Sequence, residues 1–109
     1  LYADQRIDLR VADVELPDGR HLEHRLISRP PSAGVVMIDA QERALLIWRH
    51  RFITRMWGWE MPMGKVDRGE TPAAAAAREA EEETGWRPAR LRLLACLQPS
   101  AGIMDAAGW

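Results

Sequence analysis

Apolar and polar residues alternate at nearly every step from Ile7 to Leu16, the period of a half-buried β-strand. Pro17-Asp18-Gly19-Arg20 follows with turn chemistry: Pro sets φ, and Asp-Gly accepts positive φ. His21 to Ile27 reads as the returning strand, which makes an N-terminal antiparallel hairpin. Arg29-Pro30-Pro31-Ser32 then breaks the pattern and sets an N-terminal segment, 1–30, apart from a main domain, 31–109. Ala33 to Ile38 and Ala44 to Trp48 are short apolar runs joined by Asp39-Ala40-Gln41-Glu42-Arg43, and read as two core strands with a hairpin loop. Arg49 to Gly58 is polar, aromatic and irregular, and reads as a loop.

The clearest helix begins at Thr71-Pro72. Thr is a good N-cap, and Pro at the first helical position gives up no needed donor. Ala73 to Glu83 consists of strong helix formers, Gly85 can end the helix in the left-handed conformation, and Pro88 prevents its return. Arg90 to Leu97 reads as a further strand. Strands, then a helix, then a strand predict a mixed α/β (α+β) domain with a largely antiparallel sheet.

Length and composition narrow this picture. A chain of 109 residues, 47 % hydrophobic, supports one globular domain. A net charge of −1 gives no field to draw it onto nucleic acid or an anionic membrane. Lys65 is the only lysine among 15 basic residues; this suits phosphate recognition by arginine, and equally a GC-rich genome. Cys96 has no partner for a disulfide, lies in the run Leu93-Leu94-Ala95-Cys96-Leu97, and is expected to be a small buried hydrophobe. With no apolar run near the length of a membrane span and no signal-peptide pattern, a reducing, cytoplasmic setting is expected.

The charges on the helix are harder to explain by stability alone. Glu79, Glu82 and Glu83 stand at i, i+3 and i+4 and so share one face, while Glu81 points elsewhere. Like charges at this spacing repel, and they sit near the helix C-terminus, where the dipole disfavours anions. A solvated acidic face is the bland explanation. A bound hard cation would remove both penalties, and carboxylate oxygens suit Mg²⁺ or Mn²⁺.

What precedes the helix favours the cation. Gly64 is followed after five residues by Glu70, after seven more by Arg78-Glu79, and then by Ala80-Glu81-Glu82-Glu83-Thr84-Gly85-Trp86. This resembles the Nudix box, G-x5-E-x7-R-E-U-x-E-E-x-G-U with U bulky or aliphatic, over the 23 residues from 64 to 86; Ala80 is small for its position. The resemblance implies a loop–helix–loop that binds divalent metal beside a diphosphate, with hydrolysis by water attack. Carried over, Glu79 and Glu83 would be the main metal ligands, Glu82 a ligand or base candidate, and the Met63 carbonyl a further ligand. Arg78 would orient the carboxylates, unless it is only a surface i,i+4 partner. Glu70 and Gly85 would be structural within the motif, with Glu70 also a candidate peripheral ligand.

The flanks narrow the family. Trp59-Glu60-Met61-Pro62-Met63-Gly64 resembles the W-E-L-P-x-G lead-in of the ADP-ribose pyrophosphatase branch, and Trp48-Arg49-His50-Arg51-Phe52 its arginine-rich strand end. The resemblance implies a homodimer helped by the N-terminal sheet, and a nucleoside diphosphate-linked small molecule such as ADP-ribose or another nucleotide sugar as substrate. Arg49 or Arg51 would contact phosphate, Trp57 or Trp59 would stack on a base, and Glu60 and Gly64 would border the substrate. The alternative is that a tryptophan packs in the core and the arginines are solvated. In the family, further strands, a catalytic-loop glutamate and a closing helix follow the loop matched by Gln98 to Asp105, so the C-terminal part is expected to be truncated at Trp109 and the general base to lie outside the chain. Hydrolysis of nucleoside triphosphates or dinucleoside polyphosphates, a non-catalytic Nudix-like binding domain, and an acidic-helix interaction protein are the competing readings. Retention of every charged position of the box argues for catalysis.

Overall fold

The computed structural model describes residues 1–109, with nine strands paired antiparallel and one helix. The mixed α+β class is as expected. The N-terminal hairpin forms from β2 (Asp8–Glu15) and β3 (His21–Ser28), with Leu9 opposite Ile27 and Val14 opposite Leu22. β1 (Tyr2–Ala3), which the pattern did not indicate, adds a strand against β2. The hairpin is less buried than its alternation suggested: Val11 and Val14 are each 40 % exposed. The reason lies in the parity of the pattern. Ile7, Leu9 and Val11 project to one side and Ala12, Val14 and Leu16 to the other, so neither face carries a continuous apolar stripe.

The apolar run from Ala33 to Ile38 splits between two pairings. β4 (Ser32–Gly34) pairs with β9 (Met63–Lys65), and β5 (Met37–Ile38) with β6 (Ala44–Leu45). The connecting loop is held by Asp39, whose Oδ1 accepts the N–H groups of Gln41 and Arg43 at 2.9 Å each. Arg49 to Gly58 is not a loop. β7 (Ile47–Arg51) and β8 (Met56–Glu60) form a hairpin in which Trp48 faces Trp59 and His50 faces Trp57. Cross-strand aromatic pairs of this kind are what stabilise a pleated surface.

The expected strand from Arg90 to Leu97 is absent. Only Leu97 pairs, exchanging both backbone hydrogen bonds with Gly108 at 2.8 and 2.9 Å. A strand needs a partner edge for its N–H and C=O groups, and this run meets none before Leu97. Leu93 and Leu94 stand about 70 % exposed beside it, and Cys96 is exposed rather than buried. The segment from Ile103 to Trp109 takes up the pairing instead. It runs beside β3 and β4, with the Ile27 N–H on the Ile103 carbonyl at 2.7 Å and the Gly34 N–H on the Trp109 carbonyl at 2.8 Å.

The helix, α1 (Pro72–Thr84), is capped as its sequence predicts. Thr71 Oγ1 accepts the Ala74 N–H at 3.1 Å, a contact of the kind that contributes about 1 kcal/mol. Gly85 adopts φ 76° and returns its N–H to the Glu81 carbonyl, which a residue with a Cβ would do only under strain. Ala75, Ala76 and Ala80 form the core with Ala33, Val35 and Val66. Side chains this small let the helix lie close on β4 and β9, and Ala80 is fully buried there. The short residue at a bulky position of the motif is therefore a fit to this packing. The helix is too short and too polar to cross a membrane.

Candidate active site

Close packing of α1 on β9 sets one stripe of the helix against the start of the glycine loop. Glu79 and Glu83 lie on that stripe, with side chains only 16 and 18 % exposed, whereas Glu82 is 58 % exposed. The shared face thus divides into two sheltered carboxylates and one at its rim. Glu81 lies elsewhere and pairs with Arg87. Gly64, on β9, supports the Glu79 carboxylate so closely that a Cβ at that position would overlap it.

Arg78 is the hub. Its Nε and Nη2 both donate to Glu70, at 3.0 and 2.9 Å, Nη2 also donates to the Lys65 carbonyl at 2.9 Å, and Nη1 donates to Glu79 Oε1 at 2.8 Å. Glu82 lies at the margin of this network, 3.4 Å from Nη1. One planar guanidinium thereby ties the glycine loop, the loop acid Glu70 and the helix acid Glu79 together, which a point charge could not do. The hydrogen bonds to Glu70, then that to Glu79, raise the Arg78 pKa further above a range in which the guanidinium is already always charged.

Glu70 is held below its ordinary pKa, first by Arg78 and then by the N–H of Asp67. A carboxyl depressed in the folded state stabilises the fold above its ordinary value of 4.5, and that stabilisation is lost as pH falls through the lower folded value. Thermal melts followed by circular dichroism should therefore show the Tm falling steadily below about pH 4.5. Glu70→Gln should lower the Tm at neutral pH and make this acid decline shallower. A variant whose decline ran parallel to the native one would remove Glu70 from the account.

Glu83 has different company. Its Oε1 accepts from Arg49 Nη2 at 2.6 Å, and its Oε2 from the Met63 N–H at 3.3 Å. Arg49 reaches it from β7, 34 positions away in sequence. Arg51, on the same strand face, is taken up by Glu60 through three contacts, the longest 3.1 Å, and this pairing lowers the Glu60 pKa. Of the residues expected to form the site, Met63, Gly64, Glu79, Glu83, Arg78, Glu70 and Arg49 are brought together, with Glu82 at the rim. Arg51 and Glu60 satisfy each other beside them. Gly85 serves the helix end.

Trp57 and Trp59 are not among this group. Strand alternation places them with Trp48 and His50 on the face of β7–β8 opposite Arg49 and Arg51. There Trp48 lies 4.9 Å from Trp59 and 6.0 Å from Trp57, between ring centroids. The Lys65 carbonyl is a member of the site that the sequence did not suggest, since a backbone acceptor leaves no side-chain signal.

The donor set has the chemistry of a hard divalent cation: two sheltered carboxylates one helical turn apart, beside a peptide of the glycine loop. In kind the residues fit such an ion. No three acidic, His or Cys side chains converge as a ready-made metal cluster, and Glu79 and Glu83 are each turned to an arginine.

Comparison with known proteins shows what the chain as a whole is similar to. A phosphonate hydrolase of Streptomyces rubellomurinus, named CMP-5'-(N-acetyl-N-hydroxy-3-aminopropyl)phosphonate hydrolase, is 50 % identical over 100 residues, covering 92 % of this chain and 48 % of that protein. The ADP-ribose pyrophosphatase of Bacillus subtilis is 30 % identical over 105 residues, covering 96 % of this chain and 57 % of the relative. The chain thus spans about half the length of the curated relatives it matches. The crystal structure of an ADP compounds hydrolase superposes with a TM-score of 0.85 at 21 % identity, over 99 % of this chain and 59 % of that one, a likeness of fold. The NUDIX domain matches residues 28–106, and with the loop–helix motif and the fold this shows that the chain belongs to the Nudix family.

Proposed function

We propose that this chain carries the hydrolytic site of an enzyme that cleaves the diphosphate bond of a nucleoside diphosphate derivative, with ADP-ribose or a similar nucleotide sugar as the first candidate substrate. The observation that carries this reading is the pair Glu79 and Glu83, sheltered against Gly64 and Met63 and tied to the glycine loop through Arg78. Glu79 and Glu83 would hold Mg²⁺ or Mn²⁺, with Glu82 and the Met63 carbonyl as further ligands. Bound there, the ion would neutralise phosphate charge and make the attacking water more acidic.

The chain's own groups do the positioning. Arg78 keeps Glu79 aimed past Gly64, Glu70 keeps Arg78 in place, and Arg49 stands where a guanidinium can meet a phosphate oxygen. Residues 31–109 carry this machinery. One face of the N-terminal sheet, where Val14 and Leu22 are paired and exposed, is the surface we read as available to a second copy. The tryptophans, lying across β7–β8 from Arg49, are weaker candidates for base stacking than the sequence suggested.

A second substrate reading has a specific basis: the relative at 50 % identity is named for a CMP-linked phosphonate. One experiment separates the readings. The protein is incubated with Mg²⁺ and either ADP-ribose, a CMP-linked phosphonate or nucleoside triphosphates, and the products are resolved by ion-exchange chromatography. AMP with ribose 5-phosphate supports the first reading, and CMP from the phosphonate alone supports the second. Turnover confined to triphosphates would overturn both, and inertness toward all three would favour a ligand-binding domain.

A further inference from the structure

The two arginines that meet the sheltered carboxylates are not equivalent. Arg78 is fixed from several sides, by Glu70, by the Lys65 carbonyl and by Glu79, so its contact with Glu79 is part of the scaffold. Arg49 hydrogen-bonds a single side chain, Glu83, and its other charged neighbour, Glu60, is already taken up by Arg51. Its backbone is anchored in β7 opposite Gly58. The side chain can therefore leave Glu83 while the strand stays where it is. The pair is also sheltered, at 28 % exposure for Arg49 and 18 % for Glu83, so water and salt screen it only partly.

We infer that Arg49 acts as a stand-in cation on Glu83, which a divalent ion must displace, so that Arg49 holds down the metal affinity of the protein until a phosphate-bearing ligand draws the guanidinium away. The inference rests on the reading of Glu83 as a metal ligand. Its physical basis is competition for one carboxylate. An incoming ion meets Oε1 already bonded to a positive charge at 2.6 Å and Oε2 facing a peptide N–H, and it must break the first bond and approach a like charge. A diphosphate offers Arg49 another anion of matching fork geometry. By linkage, the ligand that removes Arg49 then tightens the metal, and the metal tightens the ligand by the same factor.

The test is binding of Mn²⁺ to the protein without nucleotide, read from the electron paramagnetic resonance signal of free Mn²⁺. Arg49→Gln should bind about tenfold more tightly than the native protein, the effect of removing one partly screened charge-assisted hydrogen bond. Arg49→Lys, which keeps the charge and loses the fork, should tighten binding by a smaller factor, and it carries the test if circular dichroism shows that the glutamine variant does not fold. Arg51→Gln removes the same charge from the same strand; Arg51 hydrogen-bonds Glu60 and meets Glu83 only by longer-range attraction, so the effect should be much smaller. Glu83→Gln should weaken binding. If Glu83→Gln weakens Mn²⁺ binding but both Arg49 variants leave it unchanged or weaker, the inference is overturned and the metal reading stands. An Arg51→Gln effect equal to that of Arg49→Gln would assign the change to general charge and also overturn it. If Glu83→Gln binds like the native protein, the metal reading itself fails, and the inference with it.

Discussion

Glu83→Gln is expected to reduce kcat by about two to four orders of magnitude, the scale on which a metal-held nucleophile depends on its ligands, while leaving the fold intact. The two halves of this expectation come from different contacts. Glutamine keeps the shape of glutamate and one of its two oxygen acceptors, so the 18 % exposed position is not left empty and Arg49 can keep its partner, at the loss of the longer contact from the Met63 N–H, about 1 kcal/mol. What disappears is the charge, which the packing does not require and a divalent ion does. The same substitution along the helix should give a graded series. Glu79→Gln should fall close to Glu83→Gln, because both carboxylates are sheltered against the glycine loop. Glu82→Gln should lose less, since its side chain is 58 % exposed and only grazes Arg78. Glu81→Gln, paired with Arg87 on another face, should be close to native. Rates at saturating Mg²⁺, with far-ultraviolet circular dichroism as the control for folding, provide the measurement. A Glu83→Gln enzyme within tenfold of native would count against a metal role for this residue, and a flat series would return the helix to a solvated acidic face.

That gradient was only half visible in the sequence. Helical spacing alone puts Glu79, Glu82 and Glu83 on one face, but it cannot say which part of that face is covered. Coverage comes from β9 and from Arg49, 34 positions upstream of Glu83, and no local rule predicts a contact at that separation. The helix itself was fully legible, because its start and stop are written in single residues: Thr71 accepts the cap bond, Pro72 needs no donor, and Gly85 takes φ 76°. Where punctuation is missing, reading failed. The turn between β7 and β8 has no Gly or Pro, and Arg55 itself takes φ 55°, which a non-glycine residue rarely does. With that hairpin unread, Trp48, His50, Trp57 and Trp59 could not be placed on one face, although their alternation around the turn was there to be found. Arg90 to Leu97 failed for another reason: an apolar run resembles a strand whether or not an edge exists to pair with it. Here the edge beside β4 is occupied by Ile103 to Trp109, a segment of small and mixed residues with no strand signal of its own.

Gly64→Ala offers the sharpest separation of site chemistry from stability. The φ of Gly64 is not in the left-handed region, so alanine faces no backbone penalty. Its extra methyl would instead overlap the carboxylate of Glu79. Overpacking against backbone or a rigid core side chain costs about 1–3 kcal/mol. The obstacle here is the far end of a flexible side chain, which can rotate away. The fold then loses the Arg78–Glu79 hydrogen bond, about 1–2 kcal/mol for a largely sheltered charged pair, and recovers about 0.4–1 kcal/mol because alanine restricts the unfolded chain. The Tm should therefore move by only a few degrees, whereas a carboxylate pushed off the glycine loop cannot serve the same ion. Activity should fall to the level of Glu79→Gln. The double variant Gly64→Ala, Glu79→Gln should be no slower than Glu79→Gln alone, since both substitutions remove one function and their effects cannot add. Additive losses in kcat would mean that the methyl acts on something other than Glu79. A collapse in Tm would mean that β9, and not the carboxylate, gives way.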